Sequence, residues 1–207
     1  MPVLTGSPRG REATSWGKAT LAYGFKARSQ RIAAEQRALL GRAPHERLDP
    51  RALVDHHAVV LRTPADLASL AAEDLEELLE RHPRLWSAVS VTLPGGTLVV
   101  YNPTHAGSRV NLTICHELSH LILGHDRGRM LTFSDCAMRA YDARQEAEAD
   151  WLAGSLLAPE AALKRAKFAG LSHAQTARRL GASEDLVRWR WNVSGIDRYL
   201  TPRRAAG

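Results

Sequence analysis

Cysteine is scarce in this chain. Two residues in 207, Cys115 and Cys136, cannot form a disulfide framework, so the fold must be held by a core, and a reducing, cytoplasmic setting is expected. Long apolar runs are missing as well. No stretch approaches the ~18 residues needed to cross a bilayer, and the opening MPVLTGSPRGREATSW lacks the apolar segment of a secretory signal; no membrane partner is expected. Aromatic residues contribute only 6%, yet apolar residues reach 44%, which is enough for a domain to bury its own core. Internal repeats and low-complexity tracts are also lacking.

Excess charge is absent from most of the chain. From Glu160 to the end there are ten Lys/Arg and four Asp/Glu, a net of +6, which leaves eighteen against eighteen upstream. The whole net charge of +6 therefore lies in the last 48 residues. A solvated helical face with a basic tail accounts for this as readily as contact with nucleic acid or an acidic partner.

The segments that are present alternate between helical and strand-like patterns. FKARSQRIAAEQRALLG carries Phe25, Ile32 and Leu39 at seven-residue spacing before Gly41, an amphipathic helix with a glycine stop. Asp49 and Pro50 are suited to start a short helix that runs into the β-branched AVVL strand. The acidic LASLAAEDLEELLERHP is helical and stops at Pro83. WSAVSVTLPGGTLVVYNP predicts a hairpin over about residues 86–101, with Val89, Val91 and Leu93 facing Leu98 and Val100 across a Pro-Gly-Gly turn. Asn111 is placed to cap a helix carrying CHELSHLILG, ended by Gly124. Residues 125–141 show no period and read as a loop, and ARQEAEADWLAGSLLAP is helical. At the end, Ser172 with Gln175 forms a capping box, Gly181 stops that helix and Ser183 caps the next, giving a helix-turn-helix-like pair. The expected fold is α+β, mostly helical, with a small sheet packed on the CHELSH helix.

Chemistry concentrates at residues 116–120. On a helix His116 and His120 lie about 40° apart and can bind one ion, while Glu117, about 100° round, can reach a water beside that ion. Zinc lowers the pKa of such a water to about 7, and Glu117 can then act as general base and return the proton to a leaving amine. The pattern alone is weak: this composition yields an HExxH by chance in about two chains in a hundred. The apolar flanks Ile114, Leu118, Leu121 and Ile122 argue against the plain alternative of two surface histidines. A catalytic zinc needs a third protein ligand. His125 lies about 140° round from His120, past the glycine, and fits poorly. QEAEAD offers Glu146, Glu148 and Asp150 instead. Glu146 and Asp150 share a face, whereas Glu148 is about 200° from Glu146.

HELSHLILGH followed by EAEADWLAGSLLAP resembles the ImmA/IrrE family of metallopeptidases, and further segments between residues 15 and 196 fall in the order found in actinobacterial-type members. The one departure is Asp150 where asparagine is usual. The resemblance implies Zn2+, with Mn2+ and Fe2+ able to use the same ligands. It implies Glu146 as third ligand and Asp150 as acceptor of the spare ring N–H of His116. Glu148 would then face away and pair with Arg109 or Arg144. It also implies a protein substrate, a helix-turn-helix repressor whose cleavage relieves repression of mobile-element or stress genes. The chain is thus expected to divide into a flexible tail (1–14), a metallopeptidase domain (15–169), the helix-turn-helix-like element (170–196) and a basic tail (197–207).

Weaker candidates remain. His105 can polarise a substrate carbonyl or simply order its loop; Arg109 can hold substrate backbone or pair with a carboxylate of the 146–150 cluster. Arg188 and Arg190, flanking Trp189 and Trp191, are candidate nucleic-acid contacts. A DNA-binding regulator with a structural or vestigial metal site is the competing function, and a toxin or antitoxin partner acting by binding alone is a third. The intact HExxH favours the enzyme, because a purely structural site has no use for Glu117.

Overall fold

Asp49 accepts a hydrogen bond from the Arg51 amide, and Pro50 occupies the first helical position; the chain's first strand follows three residues after that helix. In the computed structural model, residues 21–93, 96–125, 130–133, 136–139 and 142–199 are described. Helix α1 covers Phe25–Leu39, α2 Pro50–His56 and β1 Val59–Arg62. Helix α3, Ala72–Glu76, continues into a π-helical turn at Glu77–Arg81, and the hairpin strands β2 and β3 cover Ala88–Leu93 and Gly96–Tyr101. Helix α4 is Gly107–Leu123 and α5 is Ala143–Leu157, with β4 (Met130–Phe133) and β5 (Cys136–Arg139) between them. Helices α6 (Glu160–Phe168), α7 (His173–Leu180) and α8 (Glu184–Val193) close the described chain with a short turn at Ile196–Arg198. The fold is α+β and mostly helical, as the patterning predicts.

The sheet has the order β1-β3-β2, with β1 parallel and β2 antiparallel to β3. Val89 pairs with Val100 and Val91 with Leu98, so the alternating apolar residues of the two runs meet across the expected hairpin. Strand side chains point alternately to the two faces. Ala88 and Val99, on the face opposite to Val89, are buried in the main core, and Ser90 shares their face. Strands β2 and β3 both touch α4. Strand β2 ends the sheet.

Three expectations change. Residues 125–141 are not only loop, since β4 and β5 pair antiparallel there; strands of four residues are too short to impose a visible period. Helix α4 begins at Gly107 rather than beside Asn111, whose amide instead donates to the Gly181 carbonyl at 2.8 Å. On α1 the buried set is Phe25, Ser29, Ile32, Ala33, Gln36 and Arg37, while Leu39 is 51% exposed. The helix is amphipathic, but its buried face follows the 25, 29, 32/33, 36/37 row rather than the seven-residue one and includes a fully buried arginine.

That arginine ties helices together. Arg37 donates to the carbonyls of Ala33 (3.0 Å), Glu46 (2.9 Å) and Leu156 (2.6 Å), the last on α5, and burial pulls its pKa down to about 10. The C-terminal helix pair also packs on α5. Leu180, Leu186, Val187, Trp191 and Ile196 belong to the same apolar cluster as Ile114, Leu118, Leu152 and Leu156. A Cβ on Gly154 of α5 would come within 2.7 Å of the Trp189 ring, so this glycine permits the close approach of α8. Residues 1–20 and 200–207, which include the expected flexible tail and most of the basic tail, lie outside the described residues.

Candidate metal centre

Helix α4 buries Ile114, Cys115, Leu118 and Ser119, which turns the 116/120 stripe toward α5. Cys115 behaves as a small apolar residue: it is fully buried, and burial pushes its thiol up to about 12. Asp142 caps α5 by accepting from the Arg144 and Gln145 amides, which sets Glu146 in the first turn. The two helices cross so that His116 faces Glu146 and Asp150, and His120 faces Glu146.

Three side chains converge. Nε2 of His116 and Nε2 of His120 are 3.1 Å apart, and each is 3.5 Å from a carboxylate oxygen of Glu146. These atoms form the one cluster of potential ligands found among the described residues. Ligands at ~2.05 Å around a tetrahedral zinc sit ~3.3 Å from one another, so the observed spacings suit a three-ligand site with the fourth position left open. Asp150 Oδ1 lies 2.9 Å from His116 Nδ1. That contact fixes the ring and leaves Nε2 directed at the cluster.

Burial opposes a charge on His116, but the hydrogen bonds to Asp150 and then Glu146 outweigh it, and its pKa is raised to about 10. A cation held at Nε2 would displace a proton from the ring.

Glu117 points elsewhere on the helix, toward the sheet. The hydroxyl of Ser90, on β2, donates to Glu117 Oε2. Ser90 carried no signal in the sequence, where it is one serine in an alternating strand; only the packing of the hairpin on α4 brings it to the glutamate.

The remaining candidates are placed as follows. His105 Nε2 is 3.0 Å from the Pro83 carbonyl, and burial with the nearby Arg109 charge lowers its pKa; it is joined to the loop before β2. Arg109 donates to Ser87 at 3.1 Å rather than to the 146–150 carboxylates. Glu148 stays out of the ligand cluster and pairs with Arg144, which donates to it at 3.1 Å. Its side chain is nonetheless buried, with His125 3.4 Å from its second oxygen. His125 is on the far side of the His120 ring, its Nδ1 3.1 Å from His120 Nδ1, and so outside the ligand cluster.

Arg188 is exposed and pairs with Glu184 at 2.9 Å. Arg190 is not at the surface expected of a nucleic-acid contact. It is 1% exposed, its guanidinium lies 5.2 Å and 5.4 Å from the ring centres of Trp151 and Trp189, and its Nε donates to the Ala158 carbonyl. The RWRW repeat places alternate residues about 200° apart on a helix: Trp189 and Arg190 pack against Gly154 of α5, while Trp191 is buried beside His173.

A family model, peptidase M78, described as an IrrE N-terminal-like domain, matches residues 68–192, more than half of the chain. The chain belongs to that family. The ImmA/IrrE resemblance seen in HELSH and EAEAD is thus shown, and the matched span contains His116, Glu117, His120 and Glu146 of this M78 member. No curated protein matches the chain. Among the described residues no helix is long and apolar enough to cross a membrane.

Proposed function

We propose that this M78 member is a cytoplasmic, zinc-dependent endopeptidase that cleaves a helix-turn-helix transcriptional repressor and so relieves repression of mobile-element or stress genes. The observation that carries the enzymatic part is the pairing of a three-ligand cluster, His116, His120 and Glu146, with a carboxylate beside it that is not a ligand. A site built only for structure would close its fourth position and has no role for Glu117. Substrate class rests on membership of the M78 family and its ImmA/IrrE character.

His116, His120 and Glu146 would hold the ion, and Mn2+ or Fe2+ would find the same donors. Bound zinc would supply a Lewis acid that polarises a carbonyl and lowers the pKa of a water to about 7. Glu117 then takes a proton from the attacking water and delivers it to the departing amine. Ser90 holds one oxygen of that carboxylate, leaving the other for the proton. Strand β2, as the sheet edge that carries Ser90, offers backbone groups to which an extended peptide can pair. His105 and Arg109, near the start of α4, remain candidates for holding the substrate.

The DNA-binding reading has less support. Helix α8 opens with Glu184 and Asp185, which repel phosphate, and one of its two arginines is buried. The deciding experiment incubates the zinc-loaded protein with purified helix-turn-helix repressors from the same genome, those of neighbouring genes first. Cleavage that stops on chelation supports the proposal; repressors that all stay intact over long incubation at matched zinc count against it.

A further inference from the structure

His125 and Glu148 lie beyond the three converging side chains and are not needed to complete their cluster, yet both are buried: the side chains of His125 and Glu148 are 7% and 11% exposed. Their contacts form a chain. His120 Nδ1 meets His125 Nδ1 at 3.1 Å, His125 Nε2 meets Glu148 Oε2 at 3.4 Å, and Arg144 Nε donates to Glu148 Oε1 at 3.1 Å.

The proton positions in this chain follow from its ends. A carboxylate held by Arg144 accepts only, so the His125 nitrogen facing it must carry the hydrogen. With that hydrogen on Nε2 and the ring neutral, His125 turns a bare Nδ1 to His120. The 3.1 Å contact is then a hydrogen bond donated by His120 Nδ1. That leaves the lone pair of His120 on Nε2, the atom that faces His116 and Glu146. Asp150 fixes the ring of His116 by a shorter, direct route.

We propose that His125 and Glu148 are positioning residues that set the tautomer and orientation of His120 so that its Nε2 is available to a divalent cation. The inference rests on the reading of His116, His120 and Glu146 as a zinc site. It gives each histidine of the cluster its own carboxylate: Asp150 directly for His116, Glu148 through an intervening imidazole for His120. The cluster is thereby extended by one residue just past the glycine stop of α4 and one on the first turns of α5.

The test uses the full chain, zinc as probe and a competing chelator. His125→Ala should weaken zinc affinity about 10- to 100-fold, and Glu148→Ala should weaken it by less, since Arg144 and one link remain. His125→Asn places a carbonyl oxygen near the Nδ1 position and should recover most of the loss, which a merely space-filling role would not produce. Nitrogen-15 NMR of the wild-type protein, zinc-free and zinc-loaded, should show His120 protonated at Nδ1 in both, with mixed tautomers in zinc-free His125→Ala. Affinity unchanged in His125→Ala while His116→Ala abolishes binding overturns the inference and leaves the zinc site standing. A wild-type protein that binds no zinc overturns the site reading, and the zinc-free tautomer still decides the inference: a His120 protonated at Nε2 sinks it.

Discussion

Asp150 Oδ1 lies 2.9 Å from Nδ1 of His116 while Glu146, one turn earlier on the same helix, faces Nε2 of that ring at 3.5 Å. Two carboxylates thus address opposite nitrogens of one imidazole, and they should differ in what they do to metal. Glu146→Ala should lose zinc outright, whereas Asp150→Ala should keep it with affinity reduced about 10- to 100-fold. Equilibrium dialysis against a zinc indicator separates the two. Equal, small effects from both would mean that neither is a ligand.

Glu117 touches Ser90 and no member of the ligand cluster in the contacts described. Glu117→Gln should retain fold and zinc but lose peptide cleavage by on the order of 10² or more. A variant that still processes the substrate at near wild-type rate removes Glu117 from the chemistry.

The proton on His116 has a thermodynamic signature. Its folded pKa, about 10, is above the ordinary 6.5, so the contact stabilises the metal-free fold fully below pH 6.5 and the contribution is lost as pH rises toward 10. Zinc must displace that proton, so zinc affinity should climb with pH over the same window. Thermal unfolding of the chelated protein, compared with Asp150→Asn, reads the first effect. A metal-free midpoint that is flat or rises from pH 6.5 to 10 in the wild type but not in the variant would contradict it.

Gly154 sits where a Cβ would be 2.7 Å from the Trp189 ring and 3.1 Å from Arg190 Cδ. Gly154→Val should destabilise the protein by about 1–3 kcal/mol through overpacking. Chemical denaturation gives the figure directly, and a variant as stable as the wild type would mean that α8 moves freely on α5.

The basic C-terminus can be trimmed only so far. Ile196 is fully buried, Asp197 accepts from the Trp191 indole at 2.9 Å, and Tyr199 donates to Glu160 at 2.8 Å. Removing residues 200–207 should leave zinc content and thermal midpoint unchanged while weakening any salt-dependent binding to duplex DNA. Removing 193–207 should lower the midpoint as well. Undetectable DNA binding by the intact chain at low salt would take away the main support of the DNA-binding reading.

What was legible in the sequence was what repeats over short distances. The HExxH spacing fixed the face shared by His116 and His120, and alternation showed the two strands of the β2–β3 hairpin. The Asp49, Ser172 and Ser183 caps stand where side-chain chemistry puts them. What escaped was decided between elements far apart in the chain. Ser90 meets Glu117 across 27 residues, and Glu148 meets His125 across 23; neither has a periodic signature. Arg190 reads as a surface cation until Trp151 and Gly154 of another helix are placed around it.

Arg37 has a consequence for where this protein can be cut. The family match starts at residue 68, yet Arg37 caps the last carbonyls of the helix that carries Glu146 and Asp150 through its bond to Leu156, and Ile32, Ala33, Leu48, Leu53 and Val54 belong to the central core. A fragment spanning 68–192 would expose that apolar surface and leave the Leu156 carbonyl without its donor. The stretch defined by sequence similarity is therefore smaller than the unit that folds. Heterologous expression, domain grafting or fusion of the catalytic portion must carry α1 and α2 along with it.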